Sequence, residues 1–420
     1  MRSSAPPRLM DQVWDYSLFE ALYGRRSRRF GLGFEMTEGP FRYRSGHAPT
    51  PLSELEEAVL VGAGAGFTGL ALWELPTPAP YRCRSGRTFP TTAPGGHTAL
   101  FFTNDAGLYV LDGDVAASKL REIETPDERE KILASYRAQR RELRRGRLDI
   151  PRRVPPYSGH DLWDSNQPGS TLFLPVCDVT LSLISLIAQF VDPALRRYAP
   201  PTGGWHIVDD RHGLRPAGTE RWLKSGFLDA ERTLPLSLLE RQACYYTFSE
   251  PAAICQNLLL ATEAMGLGGW KHCGFLSLEV LERIGFRIVA SGPAGFGNPI
   301  GLDGVFEARC PPYYASMDDA VDSVLTQRSK NKPSDAAPHL MADTEHRAGT
   351  IAATDEGIAC TKAICSYIHD TYGRFPGGTD SMHLMWLMQA HHIDTEFYDR
   401  FFSPGAYGRT HATHMATWHR

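Results

Sequence analysis

The sequence lacks the patterns that define several large protein classes. Its eight cysteines contain no CxxC pair, which excludes the usual zinc-finger spacing and a dense disulfide scaffold. No apolar run reaches the roughly 20 residues of a membrane-spanning helix, and no signal-peptide core is visible. The 44 basic and 48 acidic residues give a net charge of −4, so no overall basic field attracts nucleic acid. We therefore expect a cytoplasmic protein that binds neither membranes nor nucleic acid.

Familiar catalytic motifs are missing as well. The sequence contains no GxSxG, HExxH or GxxxxGK[ST] pattern. The glycine-rich run 62–66 follows a predicted helix instead of a strand, so it does not fit the dinucleotide-binding turn. If the chain is an enzyme, we expect a bound cofactor to supply most of its chemistry.

The composition is that of a globular protein, with 42% hydrophobic and 22% charged residues. Apolar periodicity predicts helices over 12–24, 53–62, 115–149, 251–267, 354–372 and 380–402. Ser53 and Glu56 form a capping-box pattern, and Thr354 is the predicted N-cap of the helix that follows it. Alternating or continuous apolar runs predict a hairpin over 97–112, a strand over 284–292 and a buried strand-to-helix segment over 172–190.

Three segments carry signals of ligand binding. The cluster RRSRR, residues 25–29, combines guanidinium groups that bind phosphate bidentately with a serine hydroxyl. The apolar helix over 251–267 contains QNLLLA and continues into Gly268 and Gly269, where a backbone can approach a flat ligand closely. The third segment, 85–112, reads SGRTFPTTAPGGHTALFF…GLYVLD.

In this order the three segments resemble the FMN-dependent nitroreductase family, over about residues 12–310. The segment 85–112 is similar to the branch that oxidises azolines to azoles in modified-peptide biosynthesis. The resemblance implies an α+β fold with a mixed, mainly antiparallel sheet flanked by helices. It also implies a homodimer with FMN at the interface. The sequence departs from the family in having Ala252 and Ala253 before QN and GAGAGFTG at 62–69.

The resemblance implies a set of FMN contacts. The residues are Arg25, Arg26, Ser27, Arg29, Thr91, Thr92, Gly268, Gly269 and Arg309. The residues in 25–29 would hold the phosphate and ribityl chain, with the backbone of Arg26 near the edge of the ring, and Arg309 would close the phosphate site. The threonines and glycines would line the isoalloxazine ring.

We expect a nitroreductase-like flavin domain over 1–326 with insertions at about 115–240, a polar linker over 327–350 and a helical extension over 351–420. The expected function is an FMN-dependent oxidoreductase that transfers hydride in a biosynthetic pathway. Its substrate would be a small molecule or peptide-derived, and NAD(P)H or oxygen would be its partner in electron transfer. A non-catalytic flavin-binding protein is one alternative.

The C-terminal histidines suggest another alternative. Seven of the fifteen histidines lie between 369 and 420. On the predicted helix His392 would share a face with Glu396, and His411 and His414 follow nearby. Imidazole and carboxylate pairs are ligands for zinc, iron or copper, so a metal-dependent enzyme stays open. The density of aromatic residues favours a packing element that binds no metal, and we adopt that interpretation.

Overall fold

The structure is a computed structural model. It describes residues 9–70, 85–91, 97–111, 125, 127–196, 204–291, 295–330 and 353–417. The α-helices of this part are α1 Leu9–Asp15, α2 Leu18–Gly24, α3 Glu54–Ala65, α4 Arg129–Gln139, α5 Val179–Val191, α6 Glu220–Ser225, α7 Leu236–Met265, α8 Ser277–Ile284, α9 Met317–Lys330, α10 Asp355–Tyr372, α11 Thr395–Phe401 and α12 Arg409–Thr417. None of these helices is long and apolar enough to cross a membrane.

The strands belong to one large sheet and several small ones. They are β1 Glu35–Met36, β2 Tyr43–Arg44, β3 Phe67–Leu70, β4 Ser85–Arg87, β5 Thr98–Thr103, β6 Gly107–Leu111, β7 Arg140–Arg145, β8 Thr171–Asp178, β9 Gly204–Asp209, β10 Arg215–Pro216, β11 Leu228–Pro235, β12 Gly268–His272, β13 Arg287–Ser291, β14 Phe296–Leu302, β15 Phe306–Glu307, β16 Met382–Leu384 and β17 Leu387–His391. The large sheet has the order β12-β17-β8-β5-β6-β7, and β16 also pairs with β8. Its pairs are antiparallel, whereas β9 and β11 pair in parallel. The α+β class with a mainly antiparallel sheet and flanking helices is confirmed.

The centre of the sheet follows directly from the apolar pattern. All eight residues of β8 are buried, and helix α5 starts where this strand ends. Asp178 caps α5 by accepting a hydrogen bond from the backbone N–H of Thr180. The predicted strand-to-helix segment over 172–190 is therefore confirmed, as are the hairpin of β5 with β6 and the Ser53–Glu56 capping box of α3.

Helix α7 is longer than its sequence indicates. We expected it to begin at Pro251, because proline suits a first helical turn, yet the helix begins at Leu236 and carries Pro251 inside it. The helix packs against α3, α5 and β8, and this burial stabilises it across the proline. It ends at Gly266, which has a φ of 81° and acts as the left-handed cap.

Two of the predicted helices differ from the structure. The segment 12–24 is divided between α1 and α2, which ends at Gly24. The helix predicted over 115–149 is present only as α4 among the described residues, because RRELRR forms the edge strand β7. Arginine and glutamate on an exposed edge strand oppose pairing with another chain, which explains a strand of this composition.

The C-terminal segment contributes strands to the large sheet. Helix α10 is capped by Thr354 as predicted, but the second predicted helix, over 380–402, is wrong for its first half. Residues 387–391 form β17, which is buried throughout and lies between β12 and β8. Helix propensity was overridden here because both neighbouring strands offer hydrogen-bonding edges to this segment. The described part of the predicted helical extension, 353–417, therefore contains two strands of the large sheet as well as helices.

Candidate functional site

The basic cluster 25–29 contacts the glycine pair that follows α7. The buried guanidinium of Arg28 pairs with Glu263 near the end of α7, with Nη1 2.5 Å from Oε2. The carbonyl oxygen of Arg28 lies 2.9 Å from the position that a Cβ atom would take at Gly268. Two segments about 240 residues apart in the chain therefore meet at one place.

Arg29 is already neutralised within the protein. Its Nε lies 2.5 Å from Asp164 and its Nη2 2.7 Å from Asp161. The guanidinium also stacks on Trp270, 4.0 Å from the ring centroid. Burial raises the pKa of Asp164 to about 6, although Arg29 opposes that shift. With two carboxylates bound to it, Arg29 has little positive charge left for a phosphate.

The remaining members of the cluster differ in exposure and contacts. Arg26 donates from Nη1 to the carbonyl oxygens of Tyr23 and Arg25. Ser27 is exposed and Arg25 half-buried, and neither side chain has a hydrogen bond or ion pair with any described residue. Arg25 and Ser27 are thus the members of 25–29 whose side chains have no hydrogen-bond or ion-pair partner among the described residues.

The glycines at 268 and 269 face protein atoms instead of open space. A Cβ atom at Gly268 would lie 2.6 Å from Ile393, and one at Gly269 would lie 3.0 Å from Met388 and Thr262. Both glycines allow β12 to pack closely between its neighbours. The structure therefore assigns them a packing role in this chain.

The other predicted contacts are scattered. Arg309 donates from its backbone N–H to Thr180 and from its side chain to Tyr314, and none of its described contacts is with 25–29. Thr91 is exposed, and Thr92 lies outside the described residues.

An apolar cavity of about 410 Å³ lies between α1, α3 and α4. Its lining includes Met10, Trp14, Val59, Phe67, Thr88 and Tyr136. The side-chain amide of Asn257 on α7 donates to the carbonyl oxygen of Thr88 at 2.8 Å, which joins QNLLLA to the 85–91 segment.

Arg87 lies next to this cavity. Its guanidinium carbon is 3.8 Å from the ring centroid of Phe67, and burial lowers the pKa of Arg87 to about 10. Arg87 belongs to the segment 85–112 that carries the resemblance, but it was not among the predicted FMN contacts, which in this segment were Thr91 and Thr92.

The C-terminal histidines meet a carboxylate that the sequence did not indicate. His392 and His414 approach Oε1 of Glu56, with Nε2 distances of 3.2 Å and 2.9 Å. The expected pair of His392 with Glu396 is wrong, because His392 precedes α11 and shares no helix face with that residue. Glu396 instead lies at the surface, 3.3 Å from His47. Glu56 is 336 residues from His392, and in the sequence it was interpreted only as part of the capping box with Ser53.

Comparisons with known proteins give little more. No protein-family model matches the chain, and no curated protein matches its sequence. A solved structure from Ralstonia eutropha JMP134, named "putative nitroreductase", is similar over 68% of this chain and 80% of that chain, with 12% identity and a TM-score of 0.23. A similarity at this TM-score does not assign a function, so the functional argument depends on the residues themselves.

His272, next to Arg29, is a buried histidine with a shifted pKa. Its ring stacks on Trp270 with centroids 4.1 Å apart, and Nδ1 lies 3.8 Å from Asp161. Burial lowers its pKa to about 4, although the Asp161 carboxylate opposes the shift. The imidazole is therefore neutral in the folded protein at neutral pH.

We predict that His272 makes the protein sensitive to acid. In the unfolded chain this imidazole is protonated below about pH 6.5, whereas in the folded protein it is protonated only below about pH 4. Its contribution to the free energy of unfolding is therefore fully present at neutral pH and is lost as the pH falls from about 6.5 to about 4. One such proton changes the free energy of unfolding by up to about 1.4 kcal/mol per pH unit. His272→Phe keeps a ring beside Trp270 and should reduce the slope, as measured by urea unfolding between pH 4 and 7. The exposed control His212→Phe should leave it unchanged, and an unchanged slope in His272→Phe would contradict the assignment.

Proposed function

We propose that this chain is an FMN-dependent oxidoreductase. The observation that carries the proposal is the meeting of the three resembling segments around the C-terminal half of α7. Arg28 in the cluster 25–29 pairs with Glu263, and Asn257 binds the carbonyl of Thr88. Gly268 begins β12, three residues after the end of α7, and lies against the carbonyl oxygen of Arg28. FMN, when bound, would supply the hydride-accepting ring, and the protein would supply binding and orientation.

Some of the residues predicted to bind the FMN phosphate suit that role in the structure, and others do not. Arg25 and Ser27 suit an anion, because neither is bound to a described counter-group. Arg29 does not, since Asp161 and Asp164 already bind it. We therefore propose Arg25 and Ser27 as the phosphate contacts of this chain.

The cavity between α1, α3 and α4 is the candidate site for the isoalloxazine ring. About 410 Å³ lies in the usual range for small-molecule sites, and its mainly apolar lining suits a flat aromatic ring. Arg87, half-buried beside Phe67, places a positive charge next to the lining. We propose that the isoalloxazine occupies this cavity and acts on a small-molecule or peptide-derived substrate, with NAD(P)H or oxygen as the electron partner.

A homodimer is part of the proposal. Helices α1 and α2, just before 25–29, present five apolar side chains that are 40–77% exposed: Trp14, Leu18, Phe19, Leu22 and Tyr23. Exposed apolar groups of this density mark an interaction surface, and a second copy of the chain would cover them. Sedimentation of the purified protein measures this directly, and a monomer at micromolar concentration would contradict it.

The phosphate contacts can be tested by a double substitution. Arg25→Ala with Ser27→Ala should weaken FMN binding by about a hundredfold or more, because each charge-assisted hydrogen bond contributes roughly 1.5–3 kcal/mol. The quenching of FMN fluorescence on binding measures the dissociation constant. Arg26→Ala is the matched control, since Arg26 binds backbone carbonyls of its own segment. A wild-type protein without FMN affinity would refute the function, and a double variant that binds normally would refute the phosphate site.

The cavity can be tested by filling it. Gly62 on α3 lines the cavity, and a Cβ atom there would meet no atom within 4 Å. Gly62→Leu should therefore displace the flavin while raising the thermal midpoint, because leucine favours a helix by about 0.5–1 kcal/mol over glycine. Gly62→Ala adds most of that helix preference with little volume and should keep FMN. Full flavin content in a stable Gly62→Leu protein would place the ring elsewhere.

A further inference from the structure

Two imidazoles and one carboxylate are buried together where three distant segments of the chain meet. The side chains of His392 and His414 are 0% exposed, and that of Glu56 is 3% exposed. The two Nε2 atoms lie 3.2 Å and 2.9 Å from the same oxygen, Oε1 of Glu56. The three potential ligand atoms all lie within 4.8 Å of one another.

The contacts of the two Nδ1 atoms determine the tautomers of His392 and His414. Nδ1 of His392 lies 2.8 Å from the carbonyl oxygen of Thr50, and Nδ1 of His414 lies 3.0 Å from that of Met265. A carbonyl oxygen only accepts hydrogen bonds, so each Nδ1 carries a proton. In a neutral imidazole the lone pair is then on Nε2, which here faces Glu56.

With both imidazoles neutral, the two Nε2 lone pairs face Oε1 of Glu56, which is itself an acceptor. Protonating one imidazole or Glu56 gives one hydrogen bond and leaves the second Nε2 lone pair against the same oxygen. Protonating both imidazoles places two cationic rings side by side, with centroids 5.2 Å apart. A single divalent cation would be bound by all three atoms at once.

We propose that Glu56, His392 and His414 bind one divalent first-row transition metal ion, with zinc the best match. Two histidines and a glutamate form a ligand set that zinc uses in proteins, with bonds of about 2.0–2.2 Å. In a tetrahedral site such bonds place neighbouring ligand atoms about 3.3–3.6 Å apart. The distances from Oε1 to the two Nε2 atoms, 3.2 Å and 2.9 Å, are shorter by a few tenths of an ångström, so small side-chain shifts would admit the ion.

The groups behind the ligands hold them in place. Thr50 and Met265 orient the imidazoles through their carbonyls, and the backbone N–H of Ser53 donates to Oε2 of Glu56 at 2.6 Å. Outer contacts of this kind fix the tautomer and direction of metal ligands. Because the ligands come from α3, from the end of β17 and from α12, the ion would tie the C-terminal segment to the rest of the fold. The burial of all three ligands favours this structural role, which does not depend on flavin binding.

The test uses the full chain, expressed without a polyhistidine tag. Elemental analysis after gel filtration should find about one equivalent of zinc, and removing it with a chelator should lower the thermal midpoint. Adding Co²⁺ to the metal-free protein should give visible d–d absorption without a thiolate charge-transfer band, because the site contains no cysteine. One equivalent of Zn²⁺ should abolish that absorption. These measurements need no variant and so do not depend on how substitutions fold.

Variants then locate the site. Glu56→Gln, which keeps an oxygen acceptor for Ser53, and His414→Gln should each weaken metal binding by about a hundredfold or more. His47→Ala is the control, because His47, Asp394 and Glu396 form a second, more exposed group of possible ligands. Loss of metal in His47→Ala with normal binding in the other two would overturn the assignment. So would wild-type protein that binds neither zinc nor cobalt and shows no thermal shift with either.

Discussion

The insertion of β17 between β12 and β8 is the interaction on which the rest of the structure depends. Antiparallel hydrogen bonds join it to both neighbours, from Gly268–His391 on one side to Met388–Phe173 on the other. Gln389 points inward and is satisfied by the backbone of Asp164 and Asn166. Without this strand, β12 would lose its partner in the large sheet, and with it the packing of the segment that follows α7.

The same insertion anchors the basic cluster. Beyond Arg29, the backbone N–H of Leu32 donates to the carbonyl of His392, and that of Asp394 donates to the carbonyl of Phe30. Arg28 and Arg29 are held on the other side by Glu263, Asp161 and Asp164. Breaking one partner of such a buried pair leaves an uncompensated charge, which typically costs about 3–5 kcal/mol. The inner arginines of 25–29 therefore contribute to the architecture, and the outer residues carry the binding potential.

The flavin and metal proposals concern different parts of α3. The cavity uses apolar residues in its second half, such as Val59 and Gly62, whereas Glu56 in its first turn faces the histidines. Gly64, near the C-terminal end of α3, allows the helix to approach Leu258 of α7 closely. One short helix thus connects a candidate ligand pocket with a candidate metal centre, and each can be tested without the other.

Local signals in the sequence determined much of the architecture. The continuous apolar run made β8 and α5 predictable, the Ser53–Glu56 pattern set the start of α3, and the predicted end of α7 at 267 lies two residues beyond the observed one. The resemblance of three segments also led to the expectation that they would meet. These features depend on neighbouring residues or on strong apolar periodicity, which a sequence displays directly.

Only the tertiary structure decided the rest. The carboxylates that bind Arg29 are more than 130 residues away from it, and Glu56 is more than 330 residues from His392, so no local pattern relates them. Residues 387–391 became a strand because β12 and β8 leave a gap with unpaired backbone groups on both sides, a condition that no window of sequence contains. The sequence determined which residues could carry charge and bind ligands. The packing decided which of those charges were neutralised inside the protein and which remained available, because that depends on the partners that distant segments bring to each site.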